Sequence, residues 1–375
     1  MTEAAEAAAG PILAGRNIGV RGERGLASEL SNRVGGLLLV RGGPGFAGDV
    51  VLYALGVTTG KRPNAGQILN DQLAEAARLG KQGSVVIGIG SVAQLKSLGQ
   101  FERAQEVCTA LLDNHAPASD GLFKRAQGAA VAPTFTVANA MVAWTWCCEL
   151  FAACTRQGKT PAILPDFDGP KRPRTFERRW EMRFHDQTLE PIAAGHLGAA
   201  YLKRLGAILR DVATASWPAL ARTAQRASDT ILDGRTTFLR VGGPYLPFHH
   251  ANQLAGDPGI LTALDHDGSD PTAPSPGPGD FVIAIGRASP PGTEGWGEPE
   301  MLRGAGRGVA WIISAYLTQP WDLRRGELLV DQRWPEGDAL VKVDGYDTRL
   351  APASSIVAEA ILWAITAQVY ADSKI

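Results

Sequence analysis

The sequence has no excess of charge: 37 Lys plus Arg stand against 38 Asp plus Glu, a formal net charge of −1. A nucleic-acid groove or an anionic membrane surface calls for a basic excess, so neither partner is expected. Cysteine is scarce as well. There are four, Cys108, Cys147, Cys148 and Cys154; no two stand in C-x-x-C spacing, and no histidine joins the three in WTWCCELFAAC. That excludes the usual zinc sets and reads as packed, reduced thiols in a cytoplasmic protein. No uninterrupted apolar run reaches the roughly 18 residues of a membrane span. The opening MTEAAEAAAGPILAG lacks the basic start and continuous apolar core of a signal peptide, so a cytoplasmic location is expected. Nucleotide and hydrolase signatures are missing too. RGGPGFAG is neither G-x-G-x-x-G nor a Walker A loop, and no G-x-S-x-G elbow occurs.

What the chain does have is size, apolar content and repetition. Its 375 residues, 45% hydrophobic and 20% charged, suffice for two globular domains. GLLLV (Gly36–Val40) runs into Gly42-Gly43-Pro44, and TFLRV (Thr237–Val241) into Gly242-Gly243-Pro244. GSVVIGIG (Gly83–Gly90) and GDFVIAIG (Gly279–Gly286) each open on a turn glycine and continue as an apolar run. That is the pattern of a parallel strand buried on both faces. VAWIIS (Val309–Ser314) is a further strand of the second half, whereas its first-half equivalent, after the helical FERAQEVCTALLDN, is less clear. Each half closes on a long apolar helix, VANAMVAWTWCCELFAAC from Val137 and SSIVAEAILWAITAQVYA from Ser354, with Trp146 and Trp363 at comparable places.

Strands alternating with helices imply parallel sheets covered by helices on both faces. The expected fold is therefore α/β, with two similar three-layer αβα halves of flavodoxin or Rossmann type. A boundary near residue 190 gives domains 26–190 and 191–375, the second led by a helix with Leu197, Tyr201, Leu205 and Leu209 at i+4 spacing. DHDGSDPTAPSPGPGD, from Asp265, is a loop by composition.

In this order of strands, glycine loops and closing helices the chain resembles the sugar isomerase (SIS) phosphosugar-binding family in its double-domain form. DGRTTFLRVGGP, GDFVIAIG, RGAGRGVAWIIS and the helix led by Pro352-Ala353-Ser354-Ser355 carry the resemblance, with residues 26 to 165 following the same scheme less closely. It implies a sugar-phosphate ligand, aldose–ketose isomerisation, a homodimer, and a place in the metabolism of carbohydrate derivatives. No cofactor and no metal are implied.

Family loops hold phosphate with hydroxyls and backbone N–H groups at helix starts. Here GGPYLPFHH has no hydroxyl besides Tyr245, and GGPGFAGD has none. GRASPPGTEG keeps Ser289, Gly292 and Thr293 but inserts Pro290 and Pro291, which remove N–H donors. IGSVAQLKSLGQ keeps Ser91 and Ser97. The ligand-binding candidates are Gly42, Gly43, Ser91, Gly242, Gly243, Ser289, Gly292, Thr293, Ser354 and Ser355.

Isomerisation needs a base between adjacent carbons and an acid/base at the ring oxygen, ordinarily a carboxylate and an imidazole. Glu359, alone in an apolar helix, is the candidate base; its plainer reading is a glutamate on the solvent stripe of that helix. His249 and His250 are the candidate imidazoles, placed where an α/β sheet presents its ligand loops, and the plainer reading is a pair that caps and packs. His196 and His115 rank lower. The spacing of His249, His250, Asp257, Asp265, His266 and Asp267 fits no standard metal motif. A non-catalytic sugar-phosphate sensor or scaffold on the same fold is the alternative, favoured by the poor hydroxyl content of the loops. A different enzyme on a doubly wound sheet stays open, because fold does not dictate function.

Overall fold

The structure, a computed structural model, describes residues 1–31, 33–41, 49–57, 64–124, 130–165, 182–242, 246–247, 259–264, 274–286, 302–303, 306–315 and 323–373. The chain divides into two compact units, each drawn from separate stretches. The first comprises Met1–Asp120, Thr134–Gly206 and Glu336–Ala353; the second comprises Gly121–Pro133, Ala207–Pro335 and Ser354–Ile375. The boundary near residue 190 falls inside the stretch Thr134–Gly206 of the first unit.

The first unit is built on five parallel strands, β1 (Ile18–Arg21), β2 (Val40–Arg41), β3 (Val50–Ala54), β4 (Val85–Gly90) and β5 (Ala110–Asp113), in the order β2-β1-β3-β4-β5. This is the flavodoxin-like doubly wound order, whose ligand crevice lies at the carboxyl ends of the strands. Along β3, alternate side chains serve opposite faces. Val51 and Tyr53 join a core with Leu69, Leu73, Ala76 and Leu79 of α3 (Ala65–Lys81). The i+4 and i+3 steps between those four put them on one stripe of the helix. The short helices α4 (Val92–Ser97) and α5 (Phe101–Val107) add Leu95 and Ala104 to the same core. Helices α1 (Thr2–Leu13), α2 (Arg24–Leu30) and α6 (Phe135–Arg156) also belong to this unit; α1 and α6 pack on each other and on β4. From Ala143 to Thr155 helix α6 is buried all round, Trp144, Trp146, Cys147, Cys148 and Cys154 included.

The second unit repeats the plan. β6 (Phe123–Lys124) and β7 (Ala130–Val131) form a small antiparallel pair. The strands β8 (Thr160–Pro161) and β9 (Phe184–His185) pair in the first unit, and α7 (His196–Ala215) leads onward to α8 (Trp217–Leu232). The second sheet has strands β10 (Thr237–Val241), β11 (Thr262–Ala263), β12 (Phe281–Ile285), β13 (Val309–Ile313) and β14 (Leu328–Asp331), parallel throughout in the order β11-β10-β12-β13-β14. Every residue of β10, β12 and β13 is buried, as a sheet covered on both faces requires. Helix α8 packs on α9 (Ser354–Ser373) and on this sheet, while Phe238, Val282, Ala284, Trp311 and Ile313 form a core with Leu302. The antiparallel pair β15 (Ala339–Val341) and β16 (Leu350–Pro352) belongs to the first unit. Helices α6 and α9 are long and apolar enough to cross a membrane, yet most of each is buried inside the fold.

The α/β class and the repeat are as expected; the matching of strands within the repeat is not. The counterpart of TFLRV, by place in the sheet, is β1 and not GLLLV. Only Val40 of GLLLV enters a strand, at the sheet edge. Gly36 and Leu38 bond elsewhere: Leu38 N–H to Ala162 O at 2.9 Å, and Gly36 O to Leu164 N–H at 2.9 Å. GSVVIGIG supplies β4, the counterpart of β13, while GDFVIAIG supplies β12, the counterpart of β3. Buried parallel strands share one composition, so two apolar runs can match while holding different positions. The unclear first-half strand is β5, whose ALLD answers LLVD of β14.

Candidate functional site

The repeat is sharpest at the carboxyl edge of each sheet. Asp113 ends β5, and its Oδ1 accepts the N–H groups of Val92 (3.1 Å) and His115 (2.9 Å). Asp331 ends β14, and its Oδ1 accepts those of Ala315 (3.0 Å) and Arg333 (2.9 Å). His115 and Arg333 both have left-handed φ, 56° and 63°. Ser91 donates to Ala116 O, and Ser314 to Trp334 O. Farther on, Asp120 and Asp338 (φ 52° and 61°) and Ala132 and Ala351 (φ 59° and 61°) again match. Both aspartates take backbone N–H groups ahead of the long helix: Asp120 Oδ1 those of Thr134 and Phe135, and Asp338 Oδ1 that of Ala353. Few non-glycine residues adopt this backbone, so three matched pairs mark one local design used twice.

The edge of the first unit carries a connected set of polar side chains. Gly22 and Glu23 follow β1 directly. A Cβ on Gly22 would lie 2.0 Å from Ala54 O, and its φ is +89°, so only glycine lets the chain leave the sheet here. Glu23, half-buried, accepts from Thr136 Oγ1 and from Asn139 Nδ2, the latter at 3.0 Å. Asn139 Oδ1 accepts from Asn114 Nδ2 at 2.7 Å, and Asn114 Oδ1 from Ala116 N–H at 2.9 Å. Thr136, Asn139 and Asn114 are buried. Four side chains from the ends of β1 and β5 and the start of α6 thus form one line of hydrogen bonds. Beside it, His115 Nδ1 lies 3.1 Å from Asp113 Oδ2, with the imidazole exposed. On β3, burial and the bond from its hydroxyl to Glu75 (2.7 Å) push the Tyr53 phenol well above its ordinary range.

At the edge of the second unit, Gly242 N–H bonds Ile285 O at 2.7 Å. Gln332, the counterpart of Asn114, turns inward: its Nε2 donates to Gly286 O and Ile312 O, each at 2.8 Å, and its Oε1 accepts from Trp334 Nε1. Ser354 and Ser355 open α9 and Glu359 lies in the next turn, all three buried. The solvent-stripe reading of Glu359 is thereby excluded.

Of the other candidates, Ser91 is buried and caps α4, accepting from Gln94 N–H at 3.1 Å. His196 is exposed at the start of α7. Gly42, Gly43, Gly243, His249, His250, Ser289, Gly292 and Thr293 lie outside the described residues. Sequence reading passed over Glu23, Asn114, Thr136 and Asn139, because polar residues at strand ends look like ordinary turn and cap residues. The repeated D-N-H-A-P and D-Q-R-W-P after β5 and β14 was a signal that could have drawn attention to this edge. Among the described residues, no group of His, Cys, Asp and Glu could hold a metal ion.

No known family pattern matches the sequence, and no curated protein matches it. Solved structures do match in shape. The C-terminal domain of glucosamine-fructose-6-phosphate aminotransferase from Francisella tularensis superposes with a TM-score of 0.52 at 11% identity, over 99% of this chain and 94% of that one. A proposed sugar-binding protein from Salmonella typhimurium gives 0.49 at 12% identity, over 98% and 94%. A proposed phosphosugar isomerase from Bacillus subtilis gives 0.43 at 10%, over 100% and 96%. The first of these comparisons carries the conclusion, which concerns the fold alone: two SIS-like αβα sandwiches in one chain.

Proposed function

We propose that this protein binds a sugar phosphate at the carboxyl edges of its sheets and interconverts its aldose and ketose forms. The observation that carries the reading is the doubled SIS-like fold, shared over nearly the whole chain with the C-terminal domain of an aminotransferase named for a sugar phosphate. Glu23, half-buried at the same edge, adds to it: a carboxylate there suits the hydroxyl donors of a polyol. A second reading, a non-catalytic sensor on the same fold, is favoured by Ser91 and Glu359. The Ser91 hydroxyl is engaged with Ala116 O and Gln94 N–H, and Glu359 is fully buried.

A thermal-shift panel of hexose and pentose phosphates, the unphosphorylated sugars and inorganic phosphate tests both. A ligand at a hundred times its Kd stabilises the folded state by about 2.7 kcal/mol, a shift of several degrees. A shift with a sugar phosphate, followed by its conversion to the isomer, supports the isomerase. A shift without conversion supports the sensor, and no shift with any phosphate refutes both.

A further inference from the structure

Glu359, the carboxylate expected as base, is fully buried in α9. Glu23 is only half-buried and stands directly after β1, the strand beside which a sheet of this order opens its ligand crevice. Its carboxylate is also held in place. Thr136 Oγ1 donates to Oε1 and Asn139 Nδ2 to Oε2, and Asn139 is itself held by Asn114, which is tied to the backbone at Ala116. A reacting group oriented by a second residue that a third residue orients is the arrangement by which active sites fix a base.

The plain alternative is that this line only braces the sheet edge. The second unit speaks against it, because among its described residues the same aspartate turn, the same serine bridge and the same left-handed residue are built without it. There Gln332, in the place of Asn114, is spent on Gly286 O, Ile312 O and Trp334. The fold therefore does not require that position to reach outward along α6 to a carboxylate.

We infer that Glu23 is the base of the isomerisation, with Asn139 and Asn114 as its positioning residues. The inference rests on the sugar-phosphate reading above. In the open-chain aldose, Glu23 takes the proton from C2. The electron pair closes the C1=C2 bond while the C1=O1 π pair moves onto O1, which takes a proton from solvent water, giving the enediol. The carboxylic acid then returns its proton to C1 as the C1=C2 pair shifts to it, and O2 gives its proton back to solvent water as the C2=O2 bond of the ketone forms. Nothing is oxidised or reduced overall, and the carboxylate is restored.

The test follows C2 exchange in deuterated water for whichever sugar phosphate gives the largest thermal shift, using the full chain. Glu23→Gln should lower exchange by at least 100-fold, in line with the 10²–10⁴-fold contribution of a base, while the ligand-induced thermal shift persists. Asn139→Ala should lower kcat more than it raises KM and displace the pH profile of exchange, effects that bracing alone would not produce. If the wild-type chain binds but does not exchange, the base is refuted and the binding reading stands. If it binds nothing, both fall. If Glu359→Gln abolishes exchange while Glu23→Gln does not, the base is Glu359 and the inference is wrong.

Discussion

Replacing Arg33 by alanine removes a cation that lies between two carboxylates buried in the first unit. The Arg33 guanidinium lies 3.0 Å from Asp338 Oδ2 and 3.6 Å from Glu29 Oε2; Arg33 is 6% exposed, Asp338 0% and Glu29 1%. Trp144 Nε1 would still donate to Glu29 at 3.0 Å, and Ala353 N–H to Asp338 at 3.0 Å. Neither bond neutralises a charge. Breaking a buried pair from one side destabilises by about 3–5 kcal/mol, because the partner's charge stays buried without compensation. In a unit of this size each kcal/mol moves the midpoint by about 2–4 °C, so a fall of about 6–20 °C is expected. Urea unfolding followed by tryptophan fluorescence, with calorimetry for the midpoint, measures it. Arg33→Lys should recover part of the loss, since an ammonium keeps the charge but not the planar fork. Lys342→Ala, at an exposed pair with Asp344 3.9 Å away, should leave stability unchanged. A loss below about 1 kcal/mol for Arg33→Ala would refute the reasoning.

Two further predictions test local geometry and burial. Gly22→Ala should destabilise the first unit by more than about 3 kcal/mol, beyond the 1–3 kcal/mol of backbone strain alone, because its Cβ meets Ala54 O. Gly15→Ala has a similar φ of +97° with open space around it and should show only the strain; equal urea midpoints for the two variants would overturn the argument. Burial pushes the thiols of Cys108, Cys147 and Cys154 up from 9.0 to about 12, and raises Cys148 as well. The folded state therefore holds these protons where the unfolded state releases them. The stability they contribute is fully present below about pH 9 and is lost as pH rises toward about 12. Native protein should likewise react slowly with a thiol reagent at pH 8 and release four equivalents only on unfolding. A thiol that reacts quickly in the native state would contradict the burial.

The sequence by itself determined the local elements and the class of fold. The i+4 and i+3 spacing along α3, the apolar girth of α6 and α9, and the apolar runs that became β4, β10, β12 and β13 are periodic or continuous signals, legible without a partner. So was the fact of repetition. The absence of basic excess, nucleotide loops and paired cysteines could also be read directly. What only the tertiary structure decided was pairing. The runs GSVVIGIG and GDFVIAIG look alike because both strands are buried on two faces, and only hydrogen bonding to neighbours placed one as β4 and the other as β12. No pattern in the sequence could send Glu336–Ala353 to the first unit, or join Arg33 to Asp338 across 305 positions. The line from Glu23 to Asn114 was hidden for the same reason. Its members lie 113 and 116 positions apart at the first step and 25 at the next. Side-chain hydrogen bonds between distant strand ends leave no periodicity, so the chain had to fold before the carboxylate at the edge of its sheet had neighbours.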